Sequence, residues 1–220
     1  MGGAGIVAGY GMTECPILAM ASAHDPDDKL ADTEGRACPA EVDLRVVKHD
    51  ETLAAPGEEG EIRVKAPQLF RGYLDASLND AAFDPNGYFR TGDLGCLDEE
   101  GYVSITGRLK DVIIRKGENI SAKEIEDLLY TNEKVEDVAV IGLPDADTGE
   151  RACAIVALTD ASRPLAMDEM VAFLKEKGLM VQKIPEQIEV IDEIPRNATG
   201  KILKQDLRKT FEHTKRGDRP

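Results

Sequence analysis

Pro195-Arg196-Asn197-Ala198-Thr199-Gly200-Lys201-Ile202-Leu203 is a loop written between two periodic segments. Before it, Gln187–Ile191 reads as a short strand, and after it Leu203–His213 reads as a polar helix. Gly200 suits a tight backbone, so the segment presents Lys201 in a strand–loop–helix unit from which an ammonium can reach a neighbouring site. The Thr-Gly-Lys triplet decides little by itself. The position five before Gly200 is Pro195, not Gly, and Ile202 stands where a phosphate-binding loop needs Ser or Thr, which excludes a Walker A loop. Its meaning comes from three motifs that precede it in order: Tyr10-Gly11-Met12-Thr13-Glu14, Phe89-Arg90-Thr91-Gly92-Asp93-Leu94 and Gly107-Arg108-Leu109-Lys110-Asp111.

Upstream of the loop, strands alternate with helices. Ser121-x-x-Glu124 is a capping box opening a helix whose Ile125, Leu128 and Leu129 share a face. Val138–Leu143 and Ala152–Leu158 are continuous apolar runs, the pattern of strands covered on both faces. Asp168 to Lys177 is a second helix, with Met170, Val171 and Leu174 inward and Gly178 as its stop. The second half is therefore a compact α+β domain. Farther upstream the pattern changes to short strands and turns. Val42, Leu44 and Val46, and then Ile62 and Val64, alternate with mostly polar residues, which is the period of half-buried strands. Asp84-Pro85-Asn86-Gly87 and Asp98-Glu99-Glu100-Gly101 supply turns, and a small barrel-like β unit is implied. The two patterns meet in Arg108–Asp111.

The bulk composition narrows the function classes. A chain of 220 residues, 42% hydrophobic and 31% charged, has the make-up of a folded soluble protein with one large or two small cores. Its net charge of −15 repels nucleic acid and anionic membrane, although Lys201–Arg219 is locally basic. Cys15, Cys38, Cys96 and Cys153 contain no C-x-x-C pair, so they form neither a zinc site nor a disulfide framework, and a reducing cytoplasm is expected. Met1–Ala8 lacks a basic n-region and is broken by Gly2, Gly3 and Gly5, so it is not a signal peptide. Gly2 invites a myristoylation reading, but Ile6 occupies the place where that motif wants Ser or Thr. No apolar run is long enough to span a bilayer.

Taken together, the four motifs resemble those of the adenylate-forming superfamily, which contains acyl-CoA synthetases, peptide-synthetase adenylation domains and luciferases. The resemblance runs from about Tyr10 to about Leu207, and within the superfamily the sequence is most similar to bacterial AMP-forming acid–CoA ligases for medium-chain, alicyclic or aromatic acids. It implies a mixed α/β fold. Residues 1–109 would be the incomplete β-barrel-like end of the large AMP-binding domain, and residues 110–220 the small α+β C-terminal lid domain, with a hinge at Lys110.

The resemblance also implies roles. Lys201 contacts the carboxylate and the α-phosphate side of the adenylate, where catalysis needs a cation aimed at shifting charge; otherwise it is a solvated surface lysine. Glu14 is an oxygen ligand for Mg²⁺ and Thr13 offers a hydroxyl to a phosphate oxygen, against the alternative that Thr13 caps a helix. Tyr10 stacks on adenine or, read blandly, anchors a core. Asp93 and Arg108 hold the ribose hydroxyls or form a surface ion pair. Gly117 leads a loop lining the pantetheine channel or is an ordinary hairpin glycine, and Gly11 lines the acyl pocket and leaves room for a larger acid. The ligands implied are ATP, Mg²⁺, CoA and a carboxylic acid.

One family element is missing. The Ser/Thr/Gly-rich phosphate loop ending in Lys-Gly lies well upstream of the first motif, and only nine residues precede Tyr10. The chain is therefore expected to be the C-terminal part of an acid–CoA ligase, inactive alone in adenylation. Two other readings stand beside this one. The chain is a non-catalytic module or the complementing half of a split enzyme whose other half is the missing N-terminal part, or it is a fragment of a peptide-synthetase adenylation domain.

Overall fold

The computed structural model describes residues 6–213. The Gly2 reading and the end of the basic tail lie outside the described residues. The chain divides into two compact units, Met1–Leu109 and Lys110–Pro220, each with its own core.

The first unit contains two antiparallel sheets. Strands β1 (Gly9–Tyr10) and β2 (Ala19–Met20) precede a short helix, α1 (Asp27–Asp32), and β3 (Arg36–Ala37) completes a three-stranded sheet in the order β1-β2-β3. The second sheet is a meander of β4 (Asp43–Val47), β5 (Gly60–Lys65), β6 (Phe89–Leu97) and β7 (Val103–Arg108), with α2 (Asn79–Ala82) between β5 and β6. Val42, Val46, Ile62, Val64, Phe89 and Val103 point into one apolar cluster with Tyr10, Cys15 and Leu18. Neither sheet closes into a barrel: β4 and β7 stand at opposite ends of the meander. The barrel-like unit expected from the alternation is thus an open sheet, because period-two alternation specifies a half-buried strand but not whether its last neighbour returns to the first.

Alternation in β5 also hides a second layer. Ile62 and Val64 face the apolar cluster, yet Glu61 and Arg63 on the other face are buried too. Arg63 Nε donates to Glu61 at 2.8 Å, and its Nη1 and Nη2 donate to the Glu51 carboxylate at 2.7 and 2.9 Å. A buried guanidinium is tolerated only with such partners. The two predicted turns share one device. Asp84 Oδ1 accepts from the amides of Asn86 and Tyr88, and Asp98 Oδ1 from those of Glu100 and Tyr102, each at 2.9 Å. These Asx turns fix where β6 and β7 begin.

The second unit is built on one mixed sheet. After a 3-10 turn at Leu109–Asp111 come the hairpin β8 (Val112–Arg115) and β9 (Glu118–Ser121), helix α3 (Ala122–Leu129), the long strands β10 (Val135–Asp145) and β11 (Gly149–Leu158), helix α4 (Met167–Glu176), strand β12 (Gln187–Val190) and helix α5 (Lys204–Phe211). The sheet order is β10-β11-β8-β9; β12 runs parallel to β11, whereas β10 and β11 are antiparallel. Both faces of β10 and β11 are covered. Val138, Val140, Ala152, Ala154 and Val156 pack with Ile125, Leu129, Met170 and Leu174, while Ala139, Ile141, Leu143, Cys153 and Ile155 pack with Ile194 and Leu207.

The local signals hold in detail. Ser121 Oγ accepts from the Glu124 amide at 3.3 Å, as a capping box requires, but the Glu124 carboxylate pairs with Lys183 at 2.7 Å. Gly178 (φ +84°) ends α4, with the Leu179 amide bonded to Leu174 O and the Gly178 amide to Lys175 O, both at 3.0 Å. That pair of bonds is a Schellman motif. Among the described residues no helix is long and apolar enough to cross a membrane.

Candidate functional site

In the first unit three predicted residues meet. Asp93 on β6 and Arg108 on β7 are directly opposite in the strand register, and Tyr10 ends β1. The Tyr10 hydroxyl donates to Asp93 Oδ2 at 2.8 Å, and Arg108 Nε donates to Asp93 Oδ1 at 2.8 Å. The Asp93 amide in turn donates to Thr91 Oγ1 at 3.0 Å, and that hydroxyl donates to Ile62 O at 2.6 Å. Asp93 is buried while the Arg108 side chain is 43% exposed, so the carboxylate is fixed from within and the guanidinium faces outward. Burial, together with the neighbouring Asp93 charge, pushes the Tyr10 phenol well above its ordinary range and keeps it a neutral donor. The Tyr10 ring lies in the apolar cluster and is only 9% exposed. Gly92 (φ +70°) precedes Asp93, and a Cβ there would meet nothing within 4 Å, so the backbone beside the carboxylate is open.

Residues 11–18 form a tight turn rather than a helix, so Thr13, which is exposed, caps no helix. The turn is closed by Met12 N to Cys15 O at 2.9 Å, Cys15 N to Met12 O at 3.1 Å and Leu18 N to Tyr10 O at 2.8 Å. The Glu14 carboxylate accepts from the Tyr73 hydroxyl at 2.9 Å, and Glu14 O accepts from the Phe70 amide at 2.8 Å. Tyr73 belongs to an aromatic group with Phe70, Phe83 and Phe89, which steadies its hydroxyl. Gly11 has a backbone reason to be glycine: a Cβ there would lie 2.1 Å from Pro16 O.

In the second unit the Lys201 loop is held by its own side chains. Asn197 Oδ1 accepts from Thr199 N at 3.0 Å, Thr199 Oγ1 at 2.8 Å and Lys201 N at 2.9 Å. The Gly200 amide donates to Asn197 O at 2.9 Å, and Gly200 takes φ +82°, a region open to glycine. Arg196 Nη1 donates to Gly200 O at 2.7 Å, and Arg196 Nη2 reaches the two oxygens of Asp137 at 2.9 and 2.8 Å. Lys201 is exposed, and among the described residues its ammonium enters no ion pair.

Gly117 (φ +84°) and Lys116 (φ +51°) are the two central residues of the β8–β9 hairpin. Two left-handed residues in a two-residue loop match the twist of the flanking strands. A Cβ at Gly117 would meet nothing within 4 Å. Lys110 is exposed in the 3-10 turn; its carbonyl accepts from Arg208 Nη2 at 3.4 Å, and the same nitrogen lies 3.4 Å from Asp111 Oδ1. Helix α5 is further tied down by Lys204, 2.7 Å from Glu126, whose carboxylate also accepts from the Val140 amide at 2.7 Å.

Two family signatures match this chain, that of the AMP-binding enzyme over residues 1–74 and that of the AMP-binding enzyme C-terminal domain over residues 124–201. The chain belongs to the AMP-binding, adenylate-forming enzyme family. Its relatives in that family include the medium-chain fatty-acid–CoA ligase of Escherichia coli, 42% identical over 201 residues that make up 91% of this chain and 35% of the relative. Triostin synthetase I of Streptomyces triostinicus is 40% identical over 94% of this chain and 39% of its own length. Among solved structures, o-succinylbenzoate coenzyme A synthetase of Bacillus subtilis in complex with ATP and magnesium superposes with a TM-score of 0.80 at 34% identity, over 91% of this chain and 41% of that one. The chain thus spans a little over a third of the length of these curated family members.

Sequence reasoning passed over four residues of these two clusters. Asn197 carried a signal, since Asn-x-Thr before a Gly is Asx-turn chemistry. Tyr73, Asp137 and Tyr130, whose hydroxyl donates to Asp137, carried none: Tyr73 and Asp137 act on Glu14 and Arg196, each 59 residues away, and no local pattern marks the Tyr130–Asp137 bond.

Proposed function

We propose that this chain carries the ribose-binding and lysine elements of an AMP-forming acid–CoA ligase. The overall reaction joins a carboxylic acid and ATP into an acyl-adenylate and pyrophosphate, then transfers the acyl group to CoA with release of AMP. The observation that carries the reading is Asp93, a buried carboxylate gripped on one side by Tyr10 and on the other by Arg108, each at 2.8 Å. A carboxylate fixed in this way accepts hydrogen bonds from vicinal ribose hydroxyls without reorganising, and the outward Arg108 adds a donor to the same sugar. Tyr10 then serves the nucleotide by fixing Asp93 through its hydroxyl, while its ring, only 9% exposed, anchors the apolar cluster.

Lys201 supplies the cation for the first step. Negative charge moves from the attacking carboxylate to the α-phosphate oxygens as the adenylate forms, and an ammonium on a fixed loop stabilises it there. Mg²⁺ would be held by Glu14, with Thr13 offering its hydroxyl to a phosphate oxygen. A single carboxylate suits this ion, which commonly combines one or two protein carboxylates with phosphate oxygens and water. Among the described residues no group of three or more His, Cys, Asp or Glu side chains is arranged for a metal. When bound, the ion neutralises phosphate charge. Gly117 at the hairpin tip would border the pantetheine path, Lys110 would be the pivot between steps, and Gly11 would border the acid.

No Ser/Thr/Gly-rich loop ending in Lys-Gly occurs before Tyr10 in these 220 residues, so a triphosphate cradle has to come from other residues. The test is acid-dependent ATP–pyrophosphate exchange, measured on the 220-residue chain and on the same chain joined behind the first two thirds of the E. coli medium-chain ligase. Exchange is expected only in the joined protein. Exchange by the chain alone would overturn the incomplete-site reading, and a folded joined protein without exchange would overturn the ligase reading.

A further inference from the structure

The Lys201 loop has two anchors of different origin. Asn197 is local and shapes the turn. The other comes from Asp137, 59 residues before Arg196 and set at the start of β10, where the register with β11 shifts between Val135 and Asp137. Asp137 collects four donors: Arg196 Nη2, Arg196 Nε at 3.3 Å, the Val138 amide at 2.9 Å and the Tyr130 hydroxyl. The guanidinium is planar and rigid, so an edge fixed against Asp137 determines where the remaining nitrogen points. That nitrogen, Nη1, donates at 2.7 Å to Gly200 O, the carbonyl of the peptide group that leads directly into Lys201.

We infer that Asp137 is a positioning residue for the Lys201 ammonium, acting through Arg196. The inference rests on the proposed role of Lys201 in adenylation. A surface ion pair of the ordinary kind contributes little and orders nothing beyond itself. This one differs in three respects. Asp137 is 20% exposed and is held independently of Arg196 by the Val138 amide and the Tyr130 hydroxyl, so its carboxylate cannot follow Arg196 if the loop moves. The geometry is forked rather than single-point, which fixes an angle as well as a distance. The far end of the guanidinium grips backbone, not a second mobile side chain. A catalytic group has to be held to within about half an ångström of its working place, and a long lysine on an exposed loop lacks that restraint unless its own backbone is clamped. Asp137 connects the start of a long sheet strand to that backbone in two steps.

The experiment uses the full 220-residue chain, observed by amide hydrogen exchange in ¹H–¹⁵N spectra. Two conservative variants separate charge from shape: Asp137→Asn keeps the outline of the carboxylate, and Arg196→Lys keeps the charge but loses the fork. The Gly200 and Lys201 amides, bonded to Asn197 O and Oδ1, are expected to exchange about tenfold faster in either variant, with Val140, Ile141, Ala154 and Ile155 unchanged. Unchanged loop amides would overturn the inference. So would equal acceleration of the strand amides, which marks a loss of fold stability rather than of loop order. In the joined protein, Asp137→Asn should lower kcat for adenylation about tenfold while KM for acid and for ATP stays within about twofold, and thioester formation from supplied acyl-adenylate should be unaffected. If Lys201→Ala leaves adenylation intact, the functional reading fails whatever the exchange shows. If Lys201→Ala abolishes adenylation and Asp137→Asn does not slow it, the positioning inference alone fails.

Discussion

Replacing Gly11 by Ala should destabilise the first unit through the backbone, before any effect on an acyl pocket. The added Cβ would stand 2.1 Å from Pro16 O, 2.7 Å from Pro16 C and 3.3 Å from Ile17 N. Ordinary carbon–oxygen contact needs roughly 1 Å more, and both sides of the collision are main chain, so no side chain can swing away. Relief requires the 11–17 turn to open against its three hydrogen bonds and against Cys15, Leu18 and Ala19, all fully buried. Overpacking of this kind costs about 1–3 kcal/mol and a lost hydrogen bond about 1 kcal/mol more, giving about 2–4 kcal/mol. Gly92→Ala is the control: it meets no atom within 4 Å and carries only the left-handed φ of +70°, a cost of about 1–2 kcal/mol. Urea unfolding followed by tyrosine fluorescence is well placed to read the difference, since the chain has no Trp and four of its five Tyr residues, at 10, 73, 88 and 102, lie in the first unit. With a urea slope of about 1–3 kcal/mol/M, the Gly11→Ala midpoint should fall by about 1–2 M, further than that of Gly92→Ala. A Gly11→Ala midpoint within about 0.2 M of wild type would refute the backbone reasoning and leave the pocket as the sole reason for glycine.

Acid stability should depend on Glu51: hydrogen bonds from Arg63 lower its carboxyl from the ordinary 4.5 to about 2. A folded value below the unfolded one stabilises fully above pH 4.5 and is lost as pH falls towards about 2, so Glu51→Gln should flatten that limb of the urea-midpoint profile; parallel wild-type and variant profiles would sink the assignment. Native alkylation at pH 8 should label Cys38, which is partly exposed, well before Cys153, which is fully buried and whose thiol burial pushes up to about 12. Peptide mapping that finds both labelled at one rate would contradict this. Lys204→Ala should cost about 2–3 kcal/mol, because it leaves the largely buried Glu126 carboxylate, 13% exposed, with a backbone donor but no cation, and the double variant Lys204→Ala/Glu126→Gln should recover part of the loss; no recovery would show that Lys204 acts by packing alone.

What could be read from the sequence was what neighbours in the chain decide. Ser121 opens α3, Gly178 closes α4, and the Asp84 and Asp98 turns form where Asp and Gly predict them, because each rests on contacts within five residues. The apolar runs of β10 and β11 announced burial on both faces but not their antiparallel pairing, which the three-residue connection 146–148 between Asp145 and Gly149 provides. Arg63 read as the polar side of an alternating strand; its burial depends on Glu51 and Asp84, 12 and 21 residues away. Where the incomplete barrel-like sheet stays open was illegible for the same reason, since alternation is silent about edges. In the candidate site the motifs selected Tyr10, Asp93 and Arg108 separately, whereas their meeting on one carboxylate follows from the β6–β7 register and the placement of β1. Gly11 was legible as a missing side chain but not as a point where two stretches of backbone touch. Asp137 was invisible because nothing local marks an acid whose partner, Arg196, lies 59 residues on.

The most direct measurement is of the two half-reactions, taken separately, in the joined protein carrying Lys201→Ala. Charge moves onto the α-phosphate oxygens only while the adenylate forms, so loss of the ammonium should abolish acid-dependent ATP–pyrophosphate exchange, a fall of at least about a hundredfold, and leave thioester formation from supplied acyl-adenylate and CoA close to wild type. Equal loss of both half-reactions, or retention of exchange, would contradict the assignment of Lys201 to the first step.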